Sequence, residues 1–320
     1  MTVLVTGATG FIGNALVQKL LLQKTKLRVF IRDENRIAPD VQKIIGDITD
    51  LKSCKKACDG IDIVFHCAGV LGGWKKPDTL LWDVNVQGTK NMLEAARESG
   101  VKRFIHVSSC GVFGPLNEEE IADEEYPYNP TNIYEKTKID GEKLVLGYAK
   151  KFEVTIVRPE FVYGPGDLHL LPLFKAVYER RFVFFNGGRS TLHPTYIDDA
   201  IEGIILASTN PKAVGNNFNI TGQKPVSVKE FVGAMSDALE VRSPTLSIPT
   251  PIPEVTGIFF DHTIGLFAKP PLSMVQVRYL TENRAFSYEK AKKCLGYKPK
   301  TTLETGMRKT VGWYRKKLLI

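Results

Sequence analysis

Tyr134 and Lys138 stand four residues apart in "NIYEKTKIDGEKL", a stretch that begins at Asn132. On a helix this spacing puts a phenol and an ammonium one turn apart on one face. A phenol whose ordinary pKa is about 10 needs a stabilised ionised form to exchange protons near neutrality. A neighbouring ammonium supplies that bias and is expected to lower the Tyr134 pKa. The same pair also occurs on ordinary solvated helix faces, so the spacing decides nothing by itself.

A second constellation lies at the start of the chain. In "VLVTGATGFIGNALV", Gly7, Gly10 and Gly13 fall between an apolar strand pattern and a helical one. Glycines there permit a tight turn and let backbone N–H groups approach a phosphate at a helix N-terminus. The five cysteines, Cys54, Cys58, Cys67, Cys110 and Cys294, form no C-x-x-C pair. Cys54 and Cys58 can share a helix face, but two thiols alone make a poor metal site, so no metal is expected. The scattered thiols suggest a reducing, cytoplasmic setting.

Elements must hold these residues in place. Apolar runs at "TVLVTG", "LRVFIR", "VQKIIGD", "IDIVFHCA", "VKRFIHVSS" and "EVTIVRP" alternate with helical patterns at "NALVQKLLLQ", "LKSCKKAC", "NVQGTKNMLEAARES" and "YEKTKIDGEKLVLGYAKKF". Continuous apolar strands separated by helices predict an α/β chain with a doubly wound parallel sheet covered on both faces. "NNFNITG" reads as one more strand, and "SVKEFVGAMSDAL" as a helix opened by a Ser227/Glu230 capping box. "SYEKAKKCLGYKP" and "LETGMRKTVGWYRKKLL" read as terminal helices. The expected division is a dinucleotide-binding domain over 1–160, to which 194–222 returns, and a smaller substrate-binding region over 161–193 and 223–320.

The 320 residues are 43% hydrophobic and 24% charged, ordinary for a globular protein. The net charge of +8 is spread without a block of like charges, so no nucleic acid partner is expected. The opening "MTVLVTGATG" runs straight into the first strand, so no leader is expected. No apolar run is long enough for a membrane span.

The "TGATGFIG" form, G-x-x-G-x-x-G, resembles the short-chain dehydrogenase/reductase superfamily in its extended branch, and the resemblance covers nearly the whole chain. It implies a Rossmann-type fold and a nicotinamide cofactor. Gly7, Thr9, Gly10, Phe11, Ile12 and Gly13 match the phosphate turn. Asp47 and Ile48 of "GDITD" match the adenine-contacting turn. Cys67, Ala68 and Gly69 of "HCAGV" match the loop beneath the ribose and nicotinamide. Pro159 and Val162 belong to "RPEFVYGPGD", which matches the loop lining the nicotinamide and substrate sites. Arg32 stands where NAD-dependent members place an acid, and Arg36 follows it. Arginines there suit a 2′-phosphate, so NADP(H) is favoured over NAD(H). Asp33 complicates that reading, and Arg32 stacked on adenine would suit either cofactor.

The resemblance also selects Ser109 of "HVSSCGVFGP", five residues before Gly114, as the catalytic serine. Tyr134 then exchanges a proton with the substrate oxygen while hydride moves to or from the nicotinamide. Lys138 holds the nicotinamide ribose, and Asn85 supports a helix bend and a relay water. His193 is expected to be structural. Cys110 stands where dehydratases carry an extra acid.

The last third, with "KPPL" and "NRAFSYEKAKKCLGYKP", is similar to the 3β-hydroxysteroid dehydrogenase and dihydroflavonol-reductase-like group. This implies an apolar or steroid-like small-molecule substrate, with Phe259, Phe260, Leu266 and Phe267 as its lining. The same residues could cap the core, form a dimer contact or face a membrane. A second reading is a nucleotide-sugar 4-epimerase or reductase, with Arg189 toward a diphosphate. A third is a non-catalytic NADP-binding regulator. Many members form a homodimer through a helix pair, and the helices of the 90s and 140s are the candidates here. "MRKTVGWYRKKLLI" reads as a solvated terminal helix or, through Trp313, as a peripheral membrane contact.

Overall fold

The computed structural model describes residues 1–33, 41–72, 76–249 and 274–320. Seven parallel strands form one sheet: β1 (Thr2–Thr6), β2 (Lys26–Ile31), β3 (Gln42–Ile45), β4 (Ile63–His66), β5 (Arg103–Val107), β6 (Glu153–Pro159) and β11 (Asn217–Ile220). Short pairs lie between the last two: β7 (Val162–Tyr163), β8 (Phe184–Phe185), β9 (Thr191–Leu192) and β10 (Thr195–Tyr196). The sheet order is β11-β6-β5-β4-β1-β2-β3. Val3 and Val5 face one hydrophobic core, and Leu4 between them faces the other. The same alternation holds for Ile63 and Phe65 against Val64. Two buried faces explain why the strands read as unbroken apolar runs.

Helices α1 (Phe11–Leu22) and α7 (Ile197–Thr209) contact each other beside the first core. Helices α2 (Leu51–Cys58), α4 (Thr89–Glu98) and α5 (Ile133–Gly147) cover the second. Cys54 and Cys58 do share a face, where both are buried in apolar surroundings that push their thiols up to about 12. Strand order reverses between β1 and β4, so the ligand crevice opens at their carboxyl ends.

One helical expectation needs correction. "NVQGTKNMLEAARES" is not a single regular helix: α3 (Asp78–Trp82) leads into a π-helical turn at Asp83–Gly88 before α4 begins. Inside that turn the Thr89 hydroxyl donates to the Asn85 carbonyl at 2.7 Å, and the Asn85 side chain is held from outside the helix. Such insertions are a recognised cause of π turns, which gather at functional sites.

The remaining chain packs around the crevice. Helix α8 (Val228–Leu239) has the expected capping box. The helix Leu303–Lys316 lays its buried face on α8, and the Tyr314 hydroxyl donates to the Asp167 carbonyl at 2.6 Å. Trp313 is half-buried in that interface. Among the described residues no helix is long and apolar enough to cross a membrane. Phe259, Phe260, Leu266, Phe267 and the "KPPL" element lie outside the described residues, as does Arg36.

Candidate active site

The glycine turn is built for close approach. Gly7 has φ +66°, and a Cβ there would lie 2.6 Å from the Ala68 nitrogen and 2.7 Å from the Cys67 carbonyl. A Cβ on Gly13 would lie 2.1 Å from the Gly7 oxygen. Only glycine fits either place. Helix α1 starts at Gly10 with no side-chain cap and no acid in its first turn. Its N-terminal N–H groups and partial positive charge are therefore left for an anion, beside Thr9, Phe11 and Ile12. These features fit a dinucleotide pyrophosphate.

The neighbouring loop hangs from two side chains. The Ala68 N–H donates to Thr6 Oγ1 at 3.2 Å, and the Val70 N–H donates to Asn85 Oδ1 at 2.8 Å. Asn85 Nδ2 reaches the Val70 carbonyl at 3.1 Å and Thr137 Oγ1 at 2.9 Å. A Cβ on Gly69 would sit 3.3 Å from Asn85 Oδ1. Asn85 thus ties the 67–70 loop to α5. The expected water relay gives way to a positioning role, because both amide hydrogens are already engaged.

Arg32, at the end of β2, is exposed and reaches Asp47 at 3.9 Å. Asp47 also accepts from the Thr49 N–H and hydroxyl, both at 2.9 Å. Ile48 turns inward, where a Cβ on Gly88 would touch it at 2.6 Å. Its side chain supports the π turn from below.

At the end of β5, Ser109 is extended and its Oγ accepts from the Gly111 N–H at 3.1 Å. Helix α5 begins with Asn132 Oδ1 capping the Glu135 N–H, which fixes where Tyr134 and Lys138 emerge. The Ser109 hydroxyl hydrogen-bonds the Tyr134 phenol. Ser109 and Tyr134 are both partly exposed, and Lys138 is buried. Beyond β6, the Glu160 N–H donates to the Ile220 carbonyl at 3.1 Å, and Val162 pairs with Thr195. The loop then brings Gly166 over Phe11, so "RPEFVYGPGD" borders the glycine turn.

The electrostatics of the pair differ from expectation. Burial raises the Tyr134 pKa, nearby Tyr279 and Glu160 add to the rise, and only Ser109 opposes it. Lys138 is not among the influences. Its Nζ donates to the Val107 carbonyl at 2.7 Å, and burial lowers its own pKa to about 8. The expected tuning of Tyr134 by Lys138 is therefore overridden by desolvation of the phenol.

Behind Lys138, His66 and His106 stack with ring centroids 5.6 Å apart. His66 bridges Thr6 and Thr89, whereas both His106 nitrogens lack partners. Burial lowers His66 to about 3 and His106 well below the ordinary range, with Lys138 adding to both. His193 bridges the Phe286 N–H and the Gly222 carbonyl, with its pKa lowered to about 4 by burial, and is structural as expected. An imidazole depressed in the fold is protonated first in the unfolded chain. Its stabilisation is present above the unfolded pKa of about 6.5 and is lost as pH falls below it. Between pH ~7.5 and ~5.5 the three imidazoles lose about 4 kcal/mol. Glu160, raised to about 7 by burial, moves oppositely, because the fold takes up its proton first. It returns about 2 kcal/mol. Urea unfolding at the two pH values should show net destabilisation on acidification. An H106F variant should show a shallower dependence, and equal slopes would contradict this account.

Arg189 donates to the Asn186 carbonyl and side chain at 3.2 and 2.7 Å on an exposed turn. Glu135, Glu160, Tyr279 and Arg284 escaped the sequence reading although they surround Tyr134. Arg284 reaches Glu135 at 3.1 Å across 149 residues, and no local pattern announces such a contact.

A seven-stranded parallel sheet with a glycine turn at its switch point defines a dinucleotide-binding α/β protein. The chain belongs to the NAD-dependent epimerase/dehydratase family, whose profile matches residues 3–221. It is 29% identical over 327 residues to a human protein named sterol-4-alpha-carboxylate 3-dehydrogenase, decarboxylating, covering 97% of this chain and 87% of the relative. It is 32% identical over 334 residues to the Mycobacterium tuberculosis 3 beta-hydroxysteroid dehydrogenase/Delta 5→4-isomerase, covering 98% and 90%. The crystal structure of UDP-glucuronic acid 4-epimerase from Bacillus cereus, in complex with NAD, superimposes with a TM-score of 0.79 at 25% identity, covering 100% of both chains.

Proposed function

We propose that the chain is an NADP(H)-dependent oxidoreductase interconverting a secondary alcohol and a ketone on an apolar, steroid-like substrate. The observation that carries this reading is the Ser109 hydroxyl set against the Tyr134 phenol at the mouth of the crevice, with Lys138 one helical turn away. The names of the two curated relatives support a sterol or steroid alcohol as the substrate class.

When bound, the nicotinamide supplies or accepts the hydride. Ser109 donates a hydrogen bond to the substrate oxygen. Tyr134, kept neutral by burial, gives its proton to that oxygen in the reductive direction and recovers it in the oxidative one. Lys138, fixed by the Val107 carbonyl, offers its remaining hydrogens to the ribose hydroxyls. Asn85 holds the loop on which the nicotinamide half would rest.

Arg32 supports the NADP(H) preference, because its exposed guanidinium is held only by one long contact with Asp47. Removing a charge-assisted bond to a 2′-phosphate costs roughly 10- to 100-fold in affinity. R32A is therefore expected to raise KM for NADPH by that factor and to leave KM for NADH within about threefold. Equal effects on the two would refute the preference.

The reading as a whole is tested by following NADPH consumption over a panel of steroidal and other apolar ketones. Net oxidation of the cofactor is expected. Interconversion of a UDP-sugar without net cofactor turnover would establish the 4-epimerase reading in its place.

A further inference from the structure

The wall around Tyr134 contains polar atoms that the reaction above leaves idle. Arg284 arrives on a segment that bridges antiparallel to Leu116 through Asn283 and parallel to Ala122 through Phe286. Its side chain is 1% exposed. Nη2 donates to Glu135 Oε1 at 3.1 Å and to Glu282 Oε2 at 2.9 Å, and the guanidinium lies 4.7 Å over the Tyr279 ring. Nε and Nη1 have no partner. Glu160 is 2% exposed, and its Oε1 has no partner either. Its backbone is pinned on both sides: the N–H donates to Ile220, and the carbonyl accepts from Thr195 Oγ1. The next residue, Phe161, is held at φ +36°, a left-handed conformation rare for an aromatic residue.

These two side chains form a floor beneath an opening. Ser109, Tyr134, Phe161 and Tyr279 are partly exposed, while Glu160 and Arg284 are not. Glu160 acts electrostatically on Tyr134, Tyr279 and Cys110, the residue after Ser109, which places it beside the reacting groups. Buried donors and acceptors are costly when unmatched, so three orphaned atoms in one wall need an occupant. Charge narrows what that occupant is. Glu135 and Glu282 already balance Arg284, so an anion would meet two carboxylates and a cation would meet a guanidinium. A hydroxyl satisfies both sides: its oxygen accepts from Arg284, and it shares a proton with the Glu160 carboxyl.

We propose that Glu160 and Arg284 bind a second, uncharged hydroxyl carried by an otherwise apolar substrate close to its reacting carbonyl carbon. This rests on the oxidoreductase reading and narrows its substrate class to hydroxyketones and their diols. Both residues act as specificity determinants, and Tyr134 keeps the proton transfer.

The test uses the full chain with NADPH and matched pairs of apolar ketones, each with and without a hydroxyl on the adjacent carbon. Wild type should prefer the hydroxyketone by about tenfold or more in kcat/KM, since a site that hydrogen-bonds a hydroxyl rejects the analogue lacking it. Glu160→Leu should abolish that preference, keep turnover of the plain ketone within about threefold, and melt no lower than wild type, because it removes an unmatched buried oxygen. Glu160→Gln should retain part of the preference. An unchanged ratio in Glu160→Leu would overturn the assignment while leaving the oxidoreductase reading intact. Loss of fold in both variants would make the carboxyl structural and also overturn it. Failure of wild type on every ketone would remove the oxidoreductase reading and this one with it.

Discussion

Replacing Tyr134 with phenylalanine is expected to lower kcat by about a thousandfold, within the range for removal of a general acid–base, and to leave KM within about threefold. The reasoning starts from burial. The phenol is desolvated, and its pKa is raised further by Tyr279 and Glu160, so at neutral pH it holds its proton firmly. It can then donate to a ketone oxygen as that oxygen gains negative charge. Phenylalanine keeps the ring and removes only the transferable proton and one hydrogen bond. The Gly7 turn, the Asn85 tether and the Lys138 contact with Val107 are untouched, so cofactor affinity should hold. A thousandfold drop corresponds to about 4 kcal/mol of transition-state stabilisation. Steady-state kinetics paired with fluorescence titration of NADPH separates the two effects. Activity within threefold of wild type would remove Tyr134 from the chemistry and favour the non-catalytic reading. Glu160 makes the experiment more informative. With the phenol gone, a carboxyl whose pKa is raised to about 7 is the nearest remaining acid, and any residual rate should disappear in the Y134F/E160Q double variant.

The fold was legible because its signals are local. "LKSCKKAC" and "EVTIVRP" match α2 and β6 residue for residue, since each is bounded by its own cap or glycine and faces a continuous core. Asp50 caps α2 through the Lys52 and Ser53 N–H groups, and that pattern is visible in sequence. The glycine turn was legible for the same reason: Gly7 and Gly13 answer to contacts within a single strand–turn–helix unit and the loop beside it.

What escaped depends on distance or on solvation. The π turn at Asp83–Gly88 follows from Asn85 reaching Thr137, 52 residues away. The polar wall needs Arg284 delivered beside Glu135 by bridges to Leu116 and Ala122. The sign of the Tyr134 shift was missed because spacing reports only which charge is adjacent. It does not report how much water the fold removes from the phenol, and here that loss outweighs the neighbouring ammonium.

Removing Glu142 should destabilise the chain by about 3–5 kcal/mol, the usual consequence of stranding one member of a buried ion pair. Glu142 is 0% exposed and Arg158 is 1% exposed. Arg158 holds Glu142 with both arms, Nε to Oε1 at 2.9 Å and Nη2 to Oε2 at 2.6 Å. The Tyr128 hydroxyl adds a third bond to Oε2 at 2.7 Å, and the guanidinium lies 4.9 Å over Phe113. This network joins α5 to β6 and to the loop before α5. In E142A the guanidinium stays buried without its partner, so urea unfolding should show a loss of that size. A paired E142L/R158M variant should recover much of it, because an apolar pair leaves no charge stranded. Full loss in the double variant would show that α5 needs the ion pair itself for its placement. Glu142 also stands one turn beyond Lys138 on the same helix face, and its charge opposes the lowering of the Lys138 pKa. E142Q should therefore lower the Lys138 pKa further below about 8, so that less ammonium remains at neutral pH to hold the cofactor ribose. The expected signature is a rise in KM for NADPH that grows with pH, larger in E142Q than in wild type, measured where both proteins remain folded. A pH-independent change would confine Glu142 to holding α5 against β6.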